Sequence, residues 1–281
     1  ENIDIMLVQG FSYPLNNGKN RQILIGDWPS EYLFEVFLKR NPSYLERKSI
    51  DRENKVIEAA DAIVTLFPNV REYMLKKYSN KNIYFFGNVV NVDDDIIIAP
   101  DIEILKMNSQ RFLFIGQPFY LLGALELIDA VRSLNEKGVM CGVDIVGIEP
   151  KLIAADYPWL KVHGYLDKHN NKQRKKYYEL LSNARLFVNT NPGWSGFQAV
   201  MEALYFHTPI AVIPNDSLSN YFPNLNKFAY LSAGGVKNLT AILLDSLTNI
   251  DKFQNMCKLS RHSVESDTWD NFTKNLIQIF K

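Results

Sequence analysis

Cysteine is scarce in this sequence: Cys141 and Cys257 stand alone among 281 residues. Far apart and set in segments that read as buried or helical, they form neither a disulfide framework nor a metal-ligand spacing, and packed thiols of this kind suit the cytosol. Net charge is also lacking, because 31 Lys and Arg balance 31 Asp and Glu. No global field therefore draws in nucleic acid or an anionic surface, and any anion site has to be local. The four histidines do not pair into a metal site. His163 ends a strand beside the expected cleft, and His169 and His262 read as surface residues. No apolar run reaches the roughly 18 residues that span a bilayer, and no signal peptide, solenoid repeat or low-complexity tract is visible. What remains is an ordinary globular composition, 47% hydrophobic and 22% charged, in a chain long enough for one large or two medium α/β domains.

Strands and helices alternate nearly throughout, the order that builds parallel sheets with crossover helices. In the first half, Ile3–Val8, Gln22–Ile25, Ala62–Leu66 and Asn82–Phe85 read as strands. Ser30–Phe37, Ser49–Ala59 and Asn69–Lys77 read as helices, with Ser30 as an N-cap. Pro100–Gln110 reads as a connection. Then come strands at Arg111–Ile115, Val143–Val146, Lys161–His163, Leu186–Asn189 and Ile210–Ile213. The helices between and after them are Leu122–Glu136, Lys172–Ser182, Gln198–Phe206, Val236–Leu247, Ile250–Cys257 and a last one from Asp270. The second half is thus a complete doubly wound domain. The first, with about four strands where about six are usual, reads as the end of one.

In open parallel sheets, ligands bind beyond the carboxyl ends of the strands, so the strand-to-helix junctions carry the chemistry. At one junction Gly116 ends the apolar strand Phe112–Ile115 and Gln117 follows. Gly116 either leaves N–H groups for a phosphate or simply closes a strand. At the other, Asn189–Phe197 is a polar, glycine-containing loop entering the helix that holds Glu202. Ser195 and Gly196 can offer N–H groups at that helix start, where an anion is favoured. Glu202 lies among Met201, Ala203 and Leu204. It is either a helix-surface carboxylate or a buried one that needs a partner, such as a ribose diol. In the first half, Asp27 ends the strand Ile23–Ile25 and is an acceptor-side candidate or a turn carboxylate. The basic run Lys172–Lys176 is a solvated helix face or a contact for anionic lipid.

Taken together, these stretches resemble the large retaining group of GT-B glycosyltransferases that use nucleotide sugars. The match runs from Gly164-Tyr165 through Tyr177–Ala184 and Gly196-Phe197 to Glu202-Ala203 and Thr208–Val212. Phe112–Gly116, Val143–Gly147, Glu58–Val64, Gly87–Asp93 and Thr268-Trp269 extend it over nearly the whole chain. His207 stands where the group usually has Gly. The resemblance implies an α/β fold of two Rossmann-like doubly wound parallel-sheet domains, the N-terminal one truncated. Its bounds are 1–100 on the acceptor side, 101–265 on the donor-nucleotide side, and 266–281 as a helix returning to the first domain. It implies hexosyl transfer from a nucleotide-diphosphate sugar to a glycan or lipid-linked acceptor, with retention and in the cytoplasm or at the inner face of a membrane. The setting is polysaccharide biosynthesis, with no metal and no cofactor beyond the sugar nucleotide. Gly116, Gln117, Trp194, Ser195, Gly196, Phe197 and Glu202 would bind the donor, and Asp27 would be catalytic.

Three positions depart from the group. Gln117 and Leu122 replace its two phosphate-neutralising cations, and Trp194 replaces a carboxylate that holds the donor sugar. Each lost cation removes charge-assisted hydrogen bonds of about 1.5–3 kcal/mol. The alternative that follows is a GT-B-like accessory subunit without turnover, partnering an active glycosyltransferase. Because the sequence opens on Glu1, a partner chain or a missing N-terminal segment completes the first domain in either reading.

Overall fold

The computed structural model of the chain describes residues 5–13, 20–93, 96–191 and 198–279. The chain divides into two compact units, Glu1–Val89 with Asp267–Lys281, and Val90–Ser266.

The first unit runs β1 (Ile5–Gln9), β2 (Arg21–Gly26), α1 (Ser30–Tyr32), α2 (Tyr44–Ala59), β3 (Ala62–Thr65), α3 (Pro68–Lys77) and β4 (Ile83–Phe85). The four strands pair in parallel and in chain order. Helix α1 continues into one π-helical stretch, Leu33–Phe37. Helix α2 starts at Tyr44 rather than Ser49, because Ser43 and Glu46 form a reciprocal capping box just ahead of it. Ser30 is not the N-cap of α1. Its N–H instead donates to Glu53 Oε2 at 2.6 Å, so a buried carboxylate of α2 satisfies the helix start.

The second unit opens with α4 (Ile102–Asn108), β5 (Arg111–Ile115), α5 (Leu121–Glu136), β6 (Gly142–Val146), β7 (Leu160–Val162), α6 (Asn171–Asn183) and β8 (Leu186–Asn189). It closes with α7 (Gln198–Tyr205), β9 (Ile210–Val212), α8 (Asp216–Tyr221), β10 (Ala229–Leu231), α9 (Val236–Thr248) and α10 (Ile250–Ser263). Its parallel sheet has the order β10-β9-β8-β5-β6-β7, so the winding reverses between β5 and β8. β6 and β8 are buried along their whole length, as a sheet covered by helices on both faces requires. Phe112, Phe114, Leu127, Val131, Val143 and Leu243 form the centre of its core. The last helix, α11 (Trp269–Gln278), belongs to the first unit, where Phe272 and Leu276 pack with Ile23, Val64 and Val89. The two parallel α/β sheets are the expected fold class.

The stretch expected as a connection, Pro100–Gln110, is instead α4, and it carries a fully buried lysine. Lys106 Nζ donates to the carbonyls of Leu181 at 2.8 Å, Ser182 at 3.1 Å and Ala184 at 3.2 Å, the open end of α6. Arg185, 1% exposed, lies 3.8 Å above the Phe253 ring and donates to the carbonyls of Met107 and Ser246. Two buried cations thus satisfy the C-terminal carbonyls of α4, α6 and α9, where the helix dipoles favour positive charge. His207 ends α7 at φ 55°, in the left-handed region. Its N–H reaches the Leu204 carbonyl at 3.0 Å and that of Thr208 reaches Ala203 at 2.9 Å. This is the terminating turn that glycine usually makes, so the backbone has the glycine-like form and only the side chain departs.

Lys106→Met should lower the urea midpoint with unchanged m, by about 3 kcal/mol at neutral pH, because three carbonyls lose their donor. Burial pulls the Lys106 ammonium down to about 7, whereas in the unfolded chain it titrates near 10.4. Between those values the unfolded state holds the extra proton, so Lys106 adds stability as pH rises. The gap between wild type and Lys106→Met should widen by up to about 1.4 kcal/mol per pH unit across that window and stay flat below pH 7. At the end of α7, His207→Gly should be more stable than His207→Ala by about 1 kcal/mol in the same assay. Both lose the imidazole, but only alanine keeps the strain.

Candidate functional site

The carboxyl ends of β5, β6 and β7 open onto a cavity of about 890 Å³ lined by Gly116, Gln117, Gly147, Lys168 and Tyr177 among others. Close backbone approach shapes its floor. Gly147 sits at φ 88°, and a side chain there would collide with the Gly116 carbonyl. The Gly147 N–H donates to the Gly164 carbonyl at 2.7 Å, and the Gly116 N–H donates to Val146 at 3.0 Å. Gly116 therefore lines the cavity but spends its N–H inside the sheet, contrary to its expected role as a phosphate donor. The next turn, Pro118–Tyr120, begins with a residue that has no N–H. Gln117 lines the cavity, while Leu122 is 75% exposed on the first turn of α5.

Glu202 is not a helix-surface residue: it is 1% exposed. Its partners in this chain are Lys168, Tyr177 and Gln198. Lys168 Nζ lies 2.5 Å from Oε1, and the Tyr177 hydroxyl donates to Oε2 at 2.5 Å. Lys168 also sits 4.5 Å above the Tyr177 ring, a cation–π contact. Burial pushes the Glu202 carboxyl pKa up, with Lys168 and Tyr177 pulling against it. Burial likewise raises the Tyr177 phenol, and the adjacent carboxylate reinforces the shift. Helix α7 is apolar apart from Glu202, the Gln198 amide that bonds it, and Tyr205, so the charge is tolerable only because its oxygens are met.

The loop between β7 and α6 holds Lys168 in place. Gly164 turns the chain at φ 67°. Asp167 Oδ1 accepts from the His169 N–H at 2.9 Å, and Asn170 caps α6 by accepting from Lys172 and Gln173. Sequence reasoning missed Lys168. Its one local signal was a lysine just ahead of an Asn N-cap, in the loop leaving a strand.

The rest of the wall is mixed in charge. Asp93, Glu149 and Asp167 line it together with Lys168 and Arg174. Arg174 pairs with Asp93 at 2.7 Å, so this member of the Lys172–Lys176 run faces the cavity rather than belonging to a solvated face. Tyr165 lines the cavity at 72% exposure and offers a stacking surface. His163 Nε2 contacts Asp144 at 2.7 Å, and Asp144 also accepts from Arg111 at 2.5 Å, which makes a structural trio across β5, β6 and β7. Asp27, in the first unit, is exposed, and its carbonyl accepts from the Thr65 hydroxyl at 3.1 Å. Trp28 beside it stacks on Phe37 and Phe67 at 6.1 and 5.8 Å. The expected donor residues Trp194, Ser195, Gly196 and Phe197 lie outside the described residues. Among the described residues no group of three His, Cys, Asp or Glu could hold a metal ion, and no helix is long and apolar enough to cross a membrane.

No family model matches the sequence, nor does any curated protein. Solved structures do match. TarM aligns with 99% of this chain and 54% of its own at 15% identity and a TM-score of 0.69. Sucrose-phosphate synthase from Thermosynechococcus elongatus aligns with 94% of this chain and 68% of its own, at 14% identity and 0.66. HepE from Anabaena, solved with UDP-glucose, aligns over 92% and 71%, at 12% identity and 0.62. The chain has the GT-B fold. At these identities the likeness is one of fold, and the chain spans about half of TarM's length. In GT-B terms, the cavity lies at the strand ends of the sheet that contains the winding reversal.

Tyr177→Phe tests the buried carboxylate. It removes one donor to Glu202, leaves Lys168 and Gln198, and keeps the ring under Lys168. It should cost about 1–3 kcal/mol in chemical denaturation, more than Tyr165→Phe, whose hydroxyl lies on an exposed side chain.

Proposed function

We propose that this chain is the donor-binding part of a glycosyltransferase that moves a sugar from a nucleotide-diphosphate sugar to a glycan or lipid-linked acceptor, with retention of configuration. The observation that carries this reading is the buried Glu202, presented with Lys168 and Tyr177 at the carboxyl ends of a doubly wound sheet in a GT-B fold. That arrangement supplies a carboxylate for ribose hydroxyls, a cation for phosphate and, in Tyr165, an aromatic face for a base or sugar. Structures of the same fold support it: HepE is solved with UDP-glucose and a S. aureus TarM mutant with UDP. Gln117 and the loop holding Trp194, Ser195, Gly196 and Phe197 would complete the donor site, and Asp27 would act on the acceptor side. Catalysis would then rest on positioning and on stabilising the departing nucleotide. The chain would work in polysaccharide assembly on the cytoplasmic side, with the exposed lysines Lys172 and Lys175 available to anionic lipid.

A specific observation favours a second reading, an accessory subunit without turnover. Both cavity cations are already paired, Lys168 with Glu202 and Arg174 with Asp93, and Gln117 and Leu122 add no charge.

Thermal-shift titration with UDP, GDP, ADP and CMP and their common sugars separates the two. A donor at about 100 times its Kd stabilises the native state by about 2.7 kcal/mol, and Glu202→Ala should abolish that shift. Release of sugar from the bound nucleotide sugar marks the transferase. Binding without turnover, or no binding at all, favours the accessory subunit.

A further inference from the structure

Glu202 cannot reach a ligand as the cavity stands. It is 1% exposed, and Lys168, Tyr177 and Gln198 hold its oxygens. What the cavity presents in its place is the ammonium of Lys168, whose side chain is 36% exposed. The Asp167 turn and the Asn170 cap fix the backbone on both sides, so the side chain is the part free to move.

We infer that Lys168 is a placeholder cation, resting on Glu202 while the site is empty and passing to the diphosphate of an entering nucleotide, which frees Glu202 Oε1 for the ribose hydroxyls. This rests on the donor reading above and names the group that replaces the cations missing at Gln117 and Leu122. The placement of charge supports the exchange. With Lys168 held by Glu202 and Arg174 by Asp93, Glu149 and Asp167 remain, and a diphosphate would meet a wall of its own sign. Moving the lysine leaves the total charge unchanged but brings the cation to the phosphates and leaves the carboxylate behind it, 1% exposed. The buried carboxylate is never left without donors, because two ribose hydroxyls arrive as the ammonium leaves and the Tyr177 hydroxyl stays. In the empty state the pair keeps a lone carboxylate from repelling the ligand, and in the loaded state each partner of the pair meets its complement.

The exchange predicts opposite effects on two halves of one ligand. Wild type, Lys168→Ala, Lys168→Arg and Glu202→Gln should be titrated calorimetrically with uridine and UDP, guanosine and GDP, adenosine and ADP, and with inorganic pyrophosphate. Lys168→Ala should weaken the diphosphate that wild type binds at least tenfold and abolish pyrophosphate binding. The matching nucleoside should bind it as well as wild type or better, since Oε1 is open. Lys168→Arg should restore diphosphate binding, and Glu202→Gln should weaken nucleoside and diphosphate alike. Equal losses for nucleoside and diphosphate in Lys168→Ala, or unchanged diphosphate affinity, would overturn the exchange and leave the donor reading standing. Lys168-dependent binding of pyrophosphate with no response to any nucleotide would sink the donor reading and keep Lys168 as an anion site. A wild type that binds neither pyrophosphate nor any diphosphate would overturn the inference outright.

Discussion

A charged group removed from water has to be matched where it lies, and the described residues of the second unit bury four: Lys106, Asp144, Arg185 and Glu202. The two cations are matched by backbone carbonyls at helix ends rather than by carboxylates, which uses groups that would otherwise be orphaned. The anions are matched by side chains, Asp144 by Arg111 and His163, and Glu202 by Lys168 and Tyr177. These solutions are linked through α6. Lys106 closes its C-terminus, Tyr177 projects from its middle, and Lys168 precedes its Asn170 cap. The same helix therefore locks α4 onto the unit and sets the height of Lys168 and Tyr177 against Glu202. A defect at Lys106, remote in sequence from the cavity, would move the groups that hold the carboxylate.

The sheet imposes the second constraint. With all strands parallel, every carboxyl end falls on one side, and the loops there must turn the chain back without blocking one another. Gly147 and Gly164 do this with left-handed backbone, and Gly147 lies against the Gly116 carbonyl. This close packing spends the N–H groups of Gly116 and Gly147 on neighbouring strands. Polar groups of the cavity wall come instead from the loop after β7 and from α6, as Lys168, Arg174 and Tyr177.

The sequence made this frame legible where periodicity and glycine mark it. The alternation of elements, the strand-ending Gly116, Gly147 and Gly164, and a carboxylate inside an apolar helix could all be read directly. The long-range pairings could not. Glu202 and Lys168 are 34 residues apart, and nothing local ties an acidic residue in α7 to a lysine in a turn. The spent N–H of Gly116 depends on strand register, which is a property of the sheet rather than of any segment. α4 was hidden by its brevity and by Pro100 just ahead of it, and β10 by having only three residues. The short α2 start was readable in hindsight, since Ser43 and Glu46 have the spacing of a capping box.

The energetics of the Glu202 trio bear on what the cavity is for. A buried ion pair is seldom a net stabiliser. Apolar residues of the same volume commonly hold two helices together as well or better, whereas removing one charged partner is severe. As a device for joining α7 to α6, an apolar contact would serve at lower risk, and the neighbouring Tyr178–Phe206 stack, at 5.7 Å, is a contact of that kind. The trio differs in that Lys168 keeps a third of its side chain in the cavity. The Arg111–Asp144 pair has a similar exposure pattern, but its cation sits between β5 and β6 rather than on the cavity wall. What sets Lys168 apart is therefore its place on the wall of the cavity, with its buried partner behind it.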